Sequence, residues 1–152
     1  MLIRFLFLFS GLFFFLVQSC TLSARQEEHL NEHLSKYISA HNDGRLLEVI
    51  GLTHPAVVKY YRAQGDTLFI EHFKDDSTYN KTYLGNPTYR GMKEKGKLLQ
   101  RKYTVEYYSE SIEINHDYVI FALSDDGGDN WFFLRDEDYR DRNIKGFKRL
   151  FD

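Results

Sequence analysis

The sequence has only one cysteine, Cys20, among its 152 residues, so no disulfide can form within one molecule. A domain without disulfides depends on its own hydrophobic core, and about 130 residues are enough to form one. The chain also lacks a basic excess, because its net charge is −2 and its lysines and arginines are dispersed. A nucleic-acid partner calls for a basic face, so the sequence argues against one.

Recognisable catalytic and metal-binding patterns are also missing. The chain has no Ser/His/Asp order, no Gly-rich phosphate loop and no Cys/His metal spacing. His29, Glu32 and His33 have the H-x-x-E-H spacing of inverted zinc peptidases, but no matching third ligand follows. The alternative is that the two histidines line the solvated side of a helix. No metal and no cofactor are therefore expected.

The segment DDGGDN, residues 125–130, allows two interpretations. Its three aspartates could attract calcium, but Gly127 occupies a position where a calcium loop carries a ligand. A polar hairpin turn accounts for the same residues without a metal. The sequence favours the turn.

Charge is almost absent from the first nineteen residues, where Arg4 is the only charged side chain. The uncharged run from Phe5 to Val17 is short for a bilayer span, which needs about 20 apolar residues. A charged start, a short apolar middle and a small residue before a cut are typical of a secretory signal peptide. The alternative is an uncleaved N-terminal anchor helix.

The segment LVQSC, residues 16–20, resembles the lipobox of bacterial lipoproteins. This resemblance implies a diacylglycerol group on the Cys20 thiol, cleavage just before that residue and acylation of the new amine. Two or more acyl chains anchor a protein stably to a membrane. The sequence thus predicts a signal peptide over residues 1–19, a lipidated cysteine and tether over 20–26, and one domain over 27–152. The expected location is the bacterial cell envelope.

Hydrophobic spacing predicts two helices at the start of this domain. In residues 27–44, apolar side chains recur at helical intervals, and Gly44 is suited to a left-handed cap. Residues 45–52 predict a shorter helix, with Leu46, Leu47 and Ile50 facing inward.

The next two segments are harder to assign. Residues 53–61, THPAVVKYY, predict a strand, because valine and tyrosine favour strands and Pro55 biases His54 towards extended backbone. In residues 64–76, Leu68, Ile70 and His72 alternate as in a strand, but Phe69 and Phe73 also pair at helical spacing. A helix is favoured for this second segment.

From Thr78 onward the composition changes to that of strands. Strands are predicted over residues 78–84 (ending at Gly85-Asn86-Pro87), 98–108, 111–124 and 130–136. Residues 119–123 are apolar on both faces, as in a central strand. The basic tail, 143–151, is expected to close the domain, and Trp131, the only tryptophan, is expected to be buried.

Three stretches carry a resemblance to a known family. SKYISAHNDGRLLEVIGLTHPAVV is similar to the first helices and the following strand of the NTF2-like (SnoaL-like, cystatin-like) family. QGDTLFIEHF is similar to its third helix, and DYVIFALSDDGGDNWFFLRD to its closing hairpin. The resemblance implies an α+β fold in which a curved antiparallel sheet packs on about three helices around a conical cavity.

Family members range from isomerases and dehydratases to inert ligand-binding and dimerisation modules, so the fold alone does not settle function. Tyr103 and Tyr107 should share one strand face, and together with Tyr83 and His72 they are the candidate ligand-binding residues. Catalytic residues stay unassigned, because no Asp or Glu clearly occupies the family's catalytic positions.

The resulting hypothesis is a non-enzymatic module, held to the membrane through Cys20. It would bind a small apolar or aromatic ligand, a second copy of itself or another envelope protein. The alternative is an isomerase- or dehydratase-type enzyme that uses the same cavity.

Overall fold

The computed structural model describes residues 21–74, 82–109 and 114–151, so the predicted signal peptide and Cys20 lie outside the described residues. The described residues form an α+β fold of five helices and one four-stranded antiparallel sheet, which confirms the predicted class. None of the helices in these ranges is long and apolar enough to span a membrane. The elements are α1 Ala24–Asn42, α2 Leu46–Leu52, α3 Pro55–Ala63, α4 Asp66–Phe73, β1 Thr82–Lys95, β2 Leu98–Ser109, β3 Ile114–Ser124, β4 Phe132–Arg135 and α5 Asp136–Arg140.

Helix α1 begins at a capping box, in which Ser23 and Gln26 each accept a hydrogen bond from the other's backbone N–H. This arrangement satisfies two N–H groups that a helix start leaves without intrahelical partners. The predicted apolar face is buried, with Leu30, Leu34 and Tyr37 against the sheet. Gly44 follows the helix in the left-handed conformation, at φ 66°, as expected.

Helix α2 lies where it is predicted, but one of its three inward residues is not buried. Leu46 and Ile50 pack against the core, whereas Leu47 is 84% exposed. Val49 and Leu52 also contact the core, on the other face of the sheet from Leu46 and Ile50. The helix reaches both faces because it lies at the β4 edge of the sheet.

The strand predicted over residues 53–61 is wrong, since Pro55–Ala63 is helix α3. His54 does have non-helical backbone, at ψ 131°, but as the N-cap of α3 its Nδ1 accepts the Ala56 N–H. Pro55 then occupies the first helical position, where its fixed φ suits the helix and its missing N–H costs nothing. Burial of Val57 against the sheet outweighs the β preference of the valines.

Strand β1 extends further towards the C-terminus than predicted, and residues 78–81 of the predicted strand lie outside the described residues. It runs through Pro87 to Lys95, with register shifts near Leu84 and Tyr89. A proline is tolerated there because β1 is an edge strand, and its neighbours absorb the irregularity. The side-chain amide of Asn42 also exchanges two hydrogen bonds with the Leu84 backbone, at 2.9 and 2.7 Å, in place of a neighbouring strand.

The sheet is a meander in the order β1-β2-β3-β4, and apolar residues cover both of its faces. Ile120 and Ala122 of β3 belong to a core cluster under α1. Phe121 and Leu123 belong to a second cluster with α3, α5 and the C-terminal tail. The prediction that β3 is central and apolar on both faces is confirmed.

The loop between β3 and β4 is ordered by the Asp126 carboxylate. This carboxylate accepts hydrogen bonds from the backbone N–H groups of Asp129 and Asn130, the Asn130 side chain and the Ser124 hydroxyl. Burial by itself would raise the pKa of Asp126, but these donors lower it to about 2. A carboxylate held this way acts as the centre of a turn.

The same loop packs against the start of α1. The Gln26 side chain donates a 2.6 Å hydrogen bond to the Gly127 carbonyl oxygen. A Cβ on Gly128, whose φ is 95°, would lie 2.7 Å from the Gln26 Cγ, so the close approach requires glycine.

Candidate functional site

Two of the four candidate ligand-binding residues lie under α1. Tyr103 is 4% exposed and belongs to the core. Tyr107, on the same strand, is partly buried against this core and stacks on Tyr118 with ring centroids 5.8 Å apart. The two tyrosines therefore share the face that the strand alternation predicts. Arg101 joins this face to α1 through a two-pronged ion pair with Glu27, at 2.6 and 2.8 Å.

The other two candidates lie elsewhere. Tyr83 pairs with Tyr108 across β1 and β2, on the sheet face away from α1. The two residues are 40% and 42% exposed. His72 is in α4, within a separate polar cluster. The four candidates thus occupy three different environments of the fold.

The space that the resemblance assigns to a conical cavity, between α1 and the sheet, is filled by the protein's own side chains. Tyr37 stacks on Phe133 with centroids 4.9 Å apart, and Trp131 packs in the same cluster. The other buried residues of this cluster are each exposed by 4% or less; they are Leu30, Leu34, Leu84, Leu99, Tyr103, Val105, Ile120 and Ala122. The centre of this space has no room for an organic ligand unless the core opens, and the recess of about 440 Å³ between α1 and residues 84–87 of β1 lies at its edge.

Tyr61, His72, Arg135 and Asp138 form a polar group centred on the buried Asp138 carboxylate, which we call the His72 cluster. The His72 Nε2 lies 3.3 Å from the Asp138 carboxylate, and the Tyr61 hydroxyl donates to the same carboxylate at 3.2 Å. The His72 ring stacks on Tyr61 with centroids 3.4 Å apart, and Arg135 reaches the His72 Nδ1 at 2.8 Å. Four elements, α3, α4, β4 and α5, are tied together here.

The electrostatics of the His72 cluster follow from its burial. Burial raises the pKa of the Tyr61 hydroxyl, and the adjacent charge of Asp138 raises it further. Burial opposes the charge of Arg135, but Asp138 and Glu137 outweigh it and raise the pKa of that guanidinium. The Arg135 Nη2 lies 2.8 Å from the His72 Nδ1 and 2.9 Å from its Nε2, and since arginine only donates hydrogen bonds, the imidazole is the acceptor in this contact.

An imidazole held by a carboxylate is a common general acid or base, so the His72 cluster is the arrangement closest to catalytic chemistry among the described residues. Access decides what it can do. His72 and Asp138 side chains are 9% and 2% exposed, and the cavity beside them is about 30 Å³. That volume holds about one water molecule.

A second candidate is a recess of about 160 Å³, on the sheet face away from α1, which we call the basic recess. Its residues come from β2, β3, α5 and the tail, and four of the seven are cationic. They are Lys102, Phe121, Tyr139, Arg140, Arg142, Arg149 and Phe151. The sequence indicated a basic tail that docks, but not the recess, because its parts lie up to 49 positions apart.

Buried hydrogen bonds hold the tail over this recess. The Tyr139 hydroxyl donates to the Gln100 Oε1 at 2.7 Å and accepts the backbone N–H groups of Leu150 and Phe151, both at 2.9 Å. Among the described residues, Arg149 donates to backbone carbonyl oxygens, those of Tyr139, Asp141 and Ile144. The walls of the recess are therefore fixed by packing and hydrogen bonds.

The metal interpretations have no support in the geometry of the described residues, which contain no group of three or more His, Cys, Asp or Glu side chains placed to hold an ion. Glu32 pairs with Lys36 at 2.7 Å. The aspartates of residues 125–129 are partly engaged in the turn, through Asp126.

Comparisons with protein-family models, with curated proteins and with solved structures each found no match to this chain.

Proposed function

We propose that this chain is an exported, lipid-anchored lipoprotein whose NTF2-like domain binds a small ligand at its surface and catalyses no reaction. The order of four helices followed by an antiparallel meander supports the NTF2-like assignment. The lipobox-like segment before Cys20 supports the anchor.

The observation that carries the non-catalytic part of this proposal is the filled interior. The space under α1 is occupied by core side chains, and the His72 cluster borders a cavity of only about 30 Å³. Family enzymes need an open pocket around their proton-transfer group, since that group must reach the substrate within hydrogen-bond distance. A surface ligand requires no such opening.

The anchor is tested by the Cys20→Ala variant of the full-length chain. If Cys20 is lipidated, the wild type takes up radioactive palmitate and is cut by the lipoprotein peptidase, whereas the variant stays uncut and unlabelled. Equal labelling of the two proteins would overturn the anchor.

The absence of catalysis is tested by the reactivity of His72 towards diethyl pyrocarbonate, followed by mass spectrometry of the full chain. We expect native His72 to react much more slowly than His29, which is partly exposed on α1, and to react as fast once the chain is unfolded. The comparison with His29 controls for reagent quality and pH.

The second candidate function, an isomerase- or dehydratase-type enzyme, is favoured by one observation, the pairing of His72 with Asp138 at 3.3 Å. It requires an opening beside this pair. A native His72 that reacts as fast as His29 would reveal that opening and would favour the enzyme.

A further inference from the structure

Positive charge is concentrated in the basic recess although the chain as a whole is slightly acidic. Of its four cations, only Arg140 pairs with a carboxylate among the described residues, with Asp136 at 2.7 Å. Lys102 and Arg142 make no ion pair in this part of the chain, and Arg149 donates to carbonyl oxygens alone. None of the described residues that line the recess is acidic.

Neighbouring cations in and beside the recess repel one another. Burial lowers the pKa of Arg149, and the adjacent charge of Arg142 lowers it further. The nearby Asp141 raises this pKa, but by less than Arg142 lowers it. Just outside, contact with Lys95 lowers the pKa of Lys148. An anion that binds between such like charges reduces their mutual repulsion.

The floor and one wall of the basic recess are aromatic. Phe121 stacks on Tyr139 with centroids 3.8 Å apart, and the Phe151 ring lies 5.5 Å from that of Phe121. Phe121 and Tyr139 are almost fully buried, so they support the base of the recess, whereas Phe151 is half-buried at the end of the tail and is the ring that a ligand can contact. An apolar ligand body with a flat face fits such a surface.

The size of the recess limits the ligand. Its volume is about 160 Å³, and an apolar cavity of about 150 Å³ accepts benzene. A single six-membered ring therefore fills it, with the ligand's charged group left at the cationic rim. Arginine is suited to such a group, because its planar fork matches a carboxylate.

We propose that the basic recess is a binding site for a small aromatic carboxylate, whose ring packs against Phe151 and whose carboxylate faces Arg142 and Lys102. This inference deepens the proposed function, because it gives the surface-binding module a site and a ligand class. Failure of the lipidation or His72 experiments would overturn the proposed function and leave this site untouched.

The test is calorimetric titration of the full-length chain, purified in detergent, with benzoate. We expect a Kd of about 1 mM or tighter. Benzamide, which has the same shape without the charge, should bind at least tenfold more weakly, because hydrogen bonds to charged groups are the stronger ones. Inorganic phosphate, which has charge without a ring, should also bind at least tenfold more weakly.

The variants Arg142→Gln and Lys102→Gln should each weaken benzoate binding about tenfold and leave the melting temperature unchanged, because neither side chain makes an ion pair among the described residues. Lys59→Gln, at an exposed position of α3, is the matched control and should bind benzoate as the wild type does.

Each other result overturns the inference. Absence of benzoate binding by the folded wild type excludes the site. Equal binding of benzamide excludes recognition of the charge, and equal binding of phosphate excludes recognition of the ring. Equal weakening in Lys59→Gln, or none in Arg142→Gln and Lys102→Gln, places the binding elsewhere.

Discussion

Replacement of Trp131 by alanine is expected to lower the free energy of unfolding by about 3–5 kcal/mol. Trp131 is 1% exposed and packs in the cluster under α1, so the substitution leaves a large cavity that the surrounding core can only partly fill. Its indole N–H also donates to the Gly128 carbonyl oxygen at 3.2 Å, and this bond fixes the loop between β3 and β4. Both contributions are lost in the variant.

Urea unfolding of the full chain, followed by circular dichroism, measures this loss. Phe132→Ala is the control, because Phe132 is the next residue, is also aromatic and is only half-buried on the opposite sheet face. We expect the control to lose clearly less stability than Trp131→Ala. A loss of under about 1 kcal/mol for Trp131→Ala would contradict the packing described for this cluster.

Replacement of Asp138 by alanine is expected to cost about 3–5 kcal/mol, although the residue lies in a helix of only five residues. Its carboxylate is 2% exposed and is the common partner of Tyr61, His72 and Arg135. Without it, the buried hydroxyl loses its acceptor and the partly buried guanidinium loses its closest buried counter-charge. Removal of one partner from a buried charged group leaves the others uncompensated, which is why the cost is large.

Glu137→Ala is the matched control for this prediction. Glu137 is adjacent to Asp138 and pairs with the same Arg135, at 2.9 Å, but its side chain is 63% exposed. Exposed ion pairs contribute about 0–1 kcal/mol, so this variant should lose little stability. Equal losses in thermal or urea unfolding of the two variants would show that burial does not set the strength of the His72 cluster.

Much of the fold could be predicted because single segments determine it. The helical spacing of α1 and the two apolar faces of β3 each follow from residues that are close in sequence. The cap at Gly44 is equally local, whereas the start of α1 at Ala24, capped by Ser23, lies within the predicted tether and was missed.

The errors in predicting the fold arise where local preferences compete with tertiary contacts. Residues 53–61 combine β-branched side chains with a proline at a helix start, and the burial of Val57 decides for the helix. In β1, pairing with β2 carries the strand through Pro87, although proline usually interrupts strands. Neither outcome can be derived from the segment alone.

The candidate sites were less predictable, because each one depends on residues from distant parts of the chain. His72 was a candidate from its position in α4, but its partners Arg135 and Asp138 lie more than 60 residues away. The basic recess joins Lys102 of β2 to Arg142 and Phe151 of the tail. Sequence spacing carries no information on such pairings until the sheet register and the path of the tail are known.

The measurement that tests the central claim most directly is NMR chemical-shift mapping of the isotope-labelled full chain in detergent as benzoate is added. Ligand binding at the surface, with a filled interior, predicts shifts that centre on Lys102, Arg142 and Phe151 and leave Tyr37 and Phe133 unchanged. Shifts that centre on Tyr37, Tyr103 and Phe133 would show that the core under α1 opens to a ligand and would contradict the account.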